Sequence, residues 1–96
     1  MNVVPTEFVR VMPEKMKAFA GELYRKVGMS DDRASLIADL QVQTDLRGVF
    51  SHGTRTSATY LRQMRDGKVN ANPEVRTVQE GPATAVLDGD GGVGHF

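Results

Sequence analysis

The sequence has no cysteine, which rules out disulfides and thiolate-held metals; a reducing cytoplasm suits such a chain. It has no excess of either charge, because 12 Lys and Arg balance 12 Asp and Glu. No global field draws it toward nucleic acid or an anionic membrane, so neither is expected as a partner. No long apolar run stands behind a basic segment in MNVVPTEFVR, so no signal peptide or membrane span is read there. H-E-x-x-H is absent, the carboxylates form no metal-ligand pattern, and no repeat or low-complexity tract occurs. With 96 residues there is room for one small domain at most, with a modest stability reserve. The 40% hydrophobic and 25% charged residues are the balance of an ordinary globular chain.

Periodicity organises what is there. Phe8, Val9 and Val11 suggest a short strand or an extended arm. Pro13 suits the first turn of a helix, and Met16, Phe19, Ala20, Leu23 and Val27 form one apolar stripe behind it. Gly28 is a natural left-handed stop, so the first helix is expected over 13–27. Ser30 is placed as an N-cap, with Asp31 and Asp32 in the favoured first turn. Leu36, Ile37 and Leu40 share a face, and the second helix is expected over 31–46, making a helical hairpin with the first. Residues 47–53 read as a constrained loop between two glycines, followed by a third helix over 57–66 with Tyr60, Leu61 and Met64 on one face. The period then falls to two. Val75–Val78 and Thr84–Asp88 read as a β-hairpin around Glu80–Ala83. The fold class is α+β, with a helical region at 1–72 and a hairpin that begins a larger sheet at 73–96. A lone hairpin is marginal in water, so the chain by itself is expected to fold poorly and to be a piece of something longer.

Several residues could carry chemistry. His52 lies between Ser51 and Gly53 and is flanked by Arg47 and Arg55. It reads either as a group that exchanges protons near neutral pH or as a loop histidine bonded to nearby backbone. Ser51 could hold the imidazole or bond its own loop, and a direct bond between neighbours needs a turn, which Gly53 permits. Arg55, Arg62, Arg65 and Lys68 put positive charge around the third helix, where they bind an anion, bind nucleic acid or form a solvated face. Tyr60 points back toward the loop or packs in the core. Gly89, Gly91 and Gly94 match G-x-G-x-x-G after an expected strand, but the sequence stops before a helix or a ribose-binding acid can appear; a lone match is weak, and a tight turn is the better reading. His95 has no visible partner in the sequence.

The run Asp45-Leu46-Arg47-Gly48-Val49-Phe50-Ser51-His52-Gly53 resembles the signature of the malate/L-lactate dehydrogenase family. That family also holds ureidoglycolate, sulfolactate and Δ1-piperideine-2-carboxylate reductases. Its pattern, close to D-L-R-G-x-x-S-H-G, is followed by a Tyr, a G-x-x-N-x-x-P loop, a T-A-x-x-D-G strand and G-x-G. Tyr60, Gly67–Pro73, Thr84–Gly89 and Gly92–Gly94 match these in order, so the resemblance spans nearly the whole chain.

The resemblance implies hydride transfer between NAD or NADP and a 2-hydroxy or 2-oxo acid, or a related imine. It makes His52 the proton donor and acceptor, with Ser51 in a relay beside it, and assigns Tyr60, Arg55 and Arg47 to the substrate. It also implies a mostly antiparallel, non-Rossmann sheet, a homodimer of the full-length enzyme, and no nicotinamide contact that can be assigned in this stretch. The family has an Arg four residues after its His; here Thr56 stands there and Arg55 comes one residue early. Family members are much longer, so this stretch alone is expected to be inactive. The alternative is a non-catalytic binding module built on the basic third helix.

Overall fold

Proline at the first helical position, with Met12 extended before it, opens a helix that Gly28 brings to a halt. This is α1 (Pro13–Lys26), and Gly28 follows it with φ +96°. The computed structural model describes residues 3–96. After α1 come α2 (Asp31–Leu46), α3 (Ser57–Arg65), β1 (Arg76–Glu80) and β2 (Ala85–Asp88). Two single 3-10 turns, Phe50–His52 and Thr54–Thr56, lie between α2 and α3. The architecture is α+β, and the expected helices start where their sequence signals place them. The first and third stop a residue short, at Lys26 and Arg65. Residues 8–11 form an extended arm with no strand pairing.

Ser30 stands at the N-cap of α2, but its hydroxyl makes no capping bond. It accepts from Arg33 Nη1 at 3.3 Å instead. The connection after α3 holds this end of the helix. Asn72 accepts the Ser30 N–H at 2.7 Å and donates to the Gly28 carbonyl at 2.7 Å. One side chain from far along the chain thus satisfies the α1–α2 turn, and the serine hydroxyl is released to the arginine.

The buried faces differ from the stripes read in the sequence. α1 packs on α2 through Ala20, Gly21 and Tyr24, whereas Phe19 stays 61% exposed. α2 answers with Ala34, Ile37, Ala38, Gln41 and Val42, and Leu36 is exposed. The faces that meet combine small residues, Ala20, Gly21, Ala34 and Ala38, with the large buried side chains of Tyr24 and Ile37. The larger apolar residues of α1 instead border a groove under the arm. Tyr24, Met29, Ala34, Ile37 and Met64 form the core, and Val93 and Phe96 fold back against it.

β1 and β2 pair antiparallel, Arg76 with Asp88 and Glu80 with Ala85, with an irregularity around Val78. The strands lie a residue or two further on at β1 than the alternation suggested, because that extra residue shifts the register. Both faces are open to solvent, with Val78 and Leu87 each 61% exposed. Arg76 bonds Asp88 at 3.2 Å across the open end. The Asp90 N–H, and then Arg76, hold the Asp88 carboxyl below its usual range.

Candidate active site

The site grows out of the last two turns of α2. Gln41 and Asp45 are four residues apart and share a face. Gln41 is fully buried, yet both its side-chain oxygen and its side-chain nitrogen are hydrogen-bonded. Its Oε1 accepts from Tyr24 Oη at 3.0 Å and from Ser57 Oγ at 2.8 Å. Its Nε2 donates to Thr56 Oγ1 at 3.1 Å, and that hydroxyl donates to the Gly53 carbonyl at 2.8 Å. A polar line therefore runs from α1 through α2 to the residue beside His52. Burial raises the Tyr24 pKa, against the opposing pull of its Ser57 and Gln41 partners.

Asp45 grips the same loop one turn further on. Its Oδ2 accepts the Thr54 N–H at 3.2 Å and the Thr54 hydroxyl at 2.5 Å. Its Oδ1 occupies the place where a Cβ on residue 53 would stand, so only glycine fits there. Gly53 is buried with φ −93° and ψ −142°, and the chain turns sharply between the two 3-10 turns on either side of it.

On this platform Ser51 and His52 meet. Ser51 Oγ lies 2.8 Å from His52 Nδ1, and the imidazole is exposed. The 3-10 turn brings the two adjacent side chains to one side, which an extended segment would not do. With Nδ1 engaged by the serine, Nε2 is the ring nitrogen left to exchange a proton with a ligand.

The remaining residues singled out in the sequence each have surroundings of their own. Arg47 caps the end of α2 with its side chain exposed, a favourable place for a cation. Arg55 is exposed and borders the groove with Asp45, Phe50 and Thr54. That groove, about 890 Å³, runs between the arm and the three helices and is mostly hydrocarbon; Ser51, His52 and Tyr60 do not line it. Tyr60 is half-buried on the core, with its ring edge-on to His95 at 6.0 Å. His95 therefore does have a neighbour, although its Nδ1 is buried without a hydrogen bond and burial lowers its pKa. Arg62 and Lys68 are exposed, and Arg65 pairs with Asp66 at 3.2 Å.

The Gly89–Gly94 run is a turn. Asn70 donates its backbone N–H to the Gly91 carbonyl at 2.9 Å and its side-chain amide to the Asp90 carbonyl at 3.0 Å, and the Pro73 ring fills the space beside Gly92. Asn70 and Pro73 thus hold this segment as a tight turn.

Gln41, Asp45 and Thr56 were not singled out in the sequence as parts of the site. A signal for the first two existed: two polar side chains, four apart, continue a helix face that Ile37 begins. Thr56 stood out only as the position without the expected arginine. Its hydroxyl faces inward between Gln41 and Gly53.

The profile of the malate/L-lactate dehydrogenase family matches residues 11–96. Malate dehydrogenase of Pyrococcus horikoshii is 36% identical over 92 residues, which are 96% of this chain and 26% of that one. L-sulfolactate dehydrogenase of Methanocaldococcus jannaschii is 38% identical over 83 residues, 86% of this chain and 24% of that one. Ureidoglycolate dehydrogenase (NAD(+)) of Escherichia coli K12 is 32% identical over 70 residues, 73% of this chain and 20% of that one. The solved structure of the Pyrococcus horikoshii malate dehydrogenase superposes with a TM-score of 0.86 at 35% identity, over 99% of this chain and 27% of that one. The chain thus spans about a quarter of the length of these relatives.

Proposed function

The chain belongs to the malate/L-lactate dehydrogenase family, and from that premise we propose that it forms the amino-terminal part of an oxidoreductase acting on a small 2-hydroxy or 2-oxo acid with NAD or NADP. The observation that carries this is the 2.8 Å contact between Ser51 Oγ and His52 Nδ1 on an exposed, braced turn. In this class of reaction the nicotinamide supplies or takes the hydride, and a protein group handles the proton. No nicotinamide contact is assigned in this stretch, so only the proton half is given to this segment.

For oxidation of a hydroxyl, His52 Nε2 takes the proton while Nδ1–H donates to Ser51 Oγ. For reduction, Nε2–H gives the proton to the nascent alkoxide, and the Ser51 hydroxyl returns one to Nδ1 while it takes one from solvent at the exposed turn. Ser51 serves both directions because a hydroxyl donates and accepts. Tyr60, Arg55 and Arg47 are assigned to the substrate side, with Arg55 or Arg47 meeting the acid's carboxylate. The names of relatives acting on malate, sulfolactate and ureidoglycolate support the substrate class, and the NAD(+) in the name of one supports the cofactor class.

The same reading takes the hairpin at 73–96 as the start of a larger, mostly antiparallel, non-Rossmann sheet. The solvent-open faces of β1 and β2 favour this. It also takes the longer chain as a cytoplasmic homodimer. Among the described residues no helix is long and apolar enough to cross a membrane.

The test offers the intact natural protein malate, lactate and sulfolactate in turn, each with NAD+ and with NADP+, and follows nicotinamide reduction. Reduction with at least one pair is expected. No reduction with any pair, and none in reverse with the oxo acids, would remove the assignment.

A further inference from the structure

We propose that Asp45 is a positioning residue for proton transfer, setting the direction of the His52 imidazole through the Gly53–Thr54 turn. This rests on His52 being the proton-transfer group.

Asp45 is badly placed for α2 itself. It lies in the last turn, where the carbonyl end of the helix repels a carboxylate, and the cation at that end, Arg47 at the C-cap, has its side chain exposed. A residue that works against its own helix needs a compensating role elsewhere. The role is visible two residues beyond His52. One carboxylate oxygen takes both the backbone N–H and the hydroxyl of Thr54. The other lies against Gly53, in the space a side chain would fill. The backbone leaving His52 is thereby fixed at Thr54 by Asp45, and at the Gly53 carbonyl by Thr56. Ser51 fixes the ring from the other side, at Nδ1. Without Asp45, Thr54 loses its acceptor and the turn after His52 can swing. The serine contact alone then leaves the ring free to tilt with the backbone.

A misplacement of about 1 Å at a reacting group costs on the order of a hundredfold in rate. Asp45 touches no substrate in this account, so its loss should fall on kcat and leave KM nearly alone.

The experiment uses the intact protein with malate and NAD+. Variants are Asp45→Ala, Asp45→Asn, Thr54→Ala, His52→Ala and the Asp45→Ala/His52→Ala double. Asp45→Ala is expected to lower kcat by about tenfold to a hundredfold with KM within about twofold. Asp45→Asn, which keeps an acceptor for Thr54, should recover most of it. In the His52→Ala background Asp45→Ala should cost nothing further, because it acts only through that ring. The ring nitrogen signals of His52 should show one tautomer in the parent and averaging in Asp45→Ala. Should Asp45→Ala not fold, Thr54→Ala, which removes one of the two bonds, is expected to give a smaller kcat loss of the same kind.

An Asp45→Ala or Thr54→Ala variant that folds and turns over like the parent, while His52→Ala is inactive, overturns the proposal. So does a further loss from Asp45→Ala on top of His52→Ala. A His52→Ala variant with full activity removes the proton-transfer assignment instead, and the two failures are thereby distinct.

Discussion

The carboxylate of Asp45 fills the space that a side chain on Gly53 would need, so the turn after His52 closes only on glycine. Gly53→Ala forces the methyl against Asp45 Oδ1, with the Gln41 carbonyl 3.1 Å away as a second obstacle. The backbone cannot retreat, because Thr56 and Thr54 hold it on both sides. We expect Gly53→Ala to destabilise the fold by about 1–3 kcal/mol, the usual cost of forcing extra volume into a packed site. Denaturant unfolding of the two proteins measures it; equal midpoints would show that the turn has slack.

Gln41 is the other grip on that loop. Gln41→Leu keeps the volume but strands the hydroxyls of Tyr24 and Ser57 away from water. A loss of about 2–4 kcal/mol is expected from two stranded hydroxyls. Tyr24→Phe removes one donor and leaves Gln41 Oε1 still bonded by Ser57, so a loss of only about 1 kcal/mol is expected. The two changes share a bond, so the double variant should lose less than the sum. Unfolding free energies of the three variants decide this, and strict additivity would contradict the network.

His95 sets a pH dependence. Burial lowers its pKa, and its Nδ1 has no hydrogen bond. The unfolded chain therefore binds a proton first as pH falls below about 6.5. Stability from this group is present above that value and declines as pH drops toward the lower folded pKa. Melting temperature should fall over this range. His95→Phe, which keeps an aromatic ring beside Tyr60, should remove part of the slope. An unchanged slope in the variant would assign the dependence to other groups.

The hairpin should be the least protected part of the structure. β1 is exposed along its whole length, and so is β2 except at Asp88. A two-stranded hairpin without a covered face is marginal. Amide exchange of the 96-residue chain should be fast at 76–88 and slower in α1 and α2 around Ala20, Tyr24, Ile37 and Gln41. Uniform protection would show that the hairpin draws stability from contacts beyond those described.

Local rules made much of the fold readable. Pro13, Gly28 and the paired aspartates at 31 and 32 mark helix ends by chemistry that acts within a turn, and the ends lie where those residues put them. Which faces meet was harder. Phe19 and Leu36 looked like core from their spacing, yet the contact falls on Gly21, Ala34 and Ala38 together with Tyr24 and Ile37. The Ser51–His52 pair was legible because it is contiguous. Gln41, Asp45 and Thr56 were not, because their partners lie nine to seventeen residues away. Their spacing continues the face that Ile37 begins, but it does not say which loop the two polar side chains hold.

The central claim is that His52 moves the proton. Its direct test is kcat/KM for malate oxidation with NAD+ by the intact protein and by His52→Ala, with thermal unfolding to show that both are folded. Loss of a positioned acid–base group typically costs about 10²–10⁴ in rate, and a fall of that size is expected, partly restored by added imidazole. A folded His52→Ala protein with unchanged kcat/KM would contradict the account.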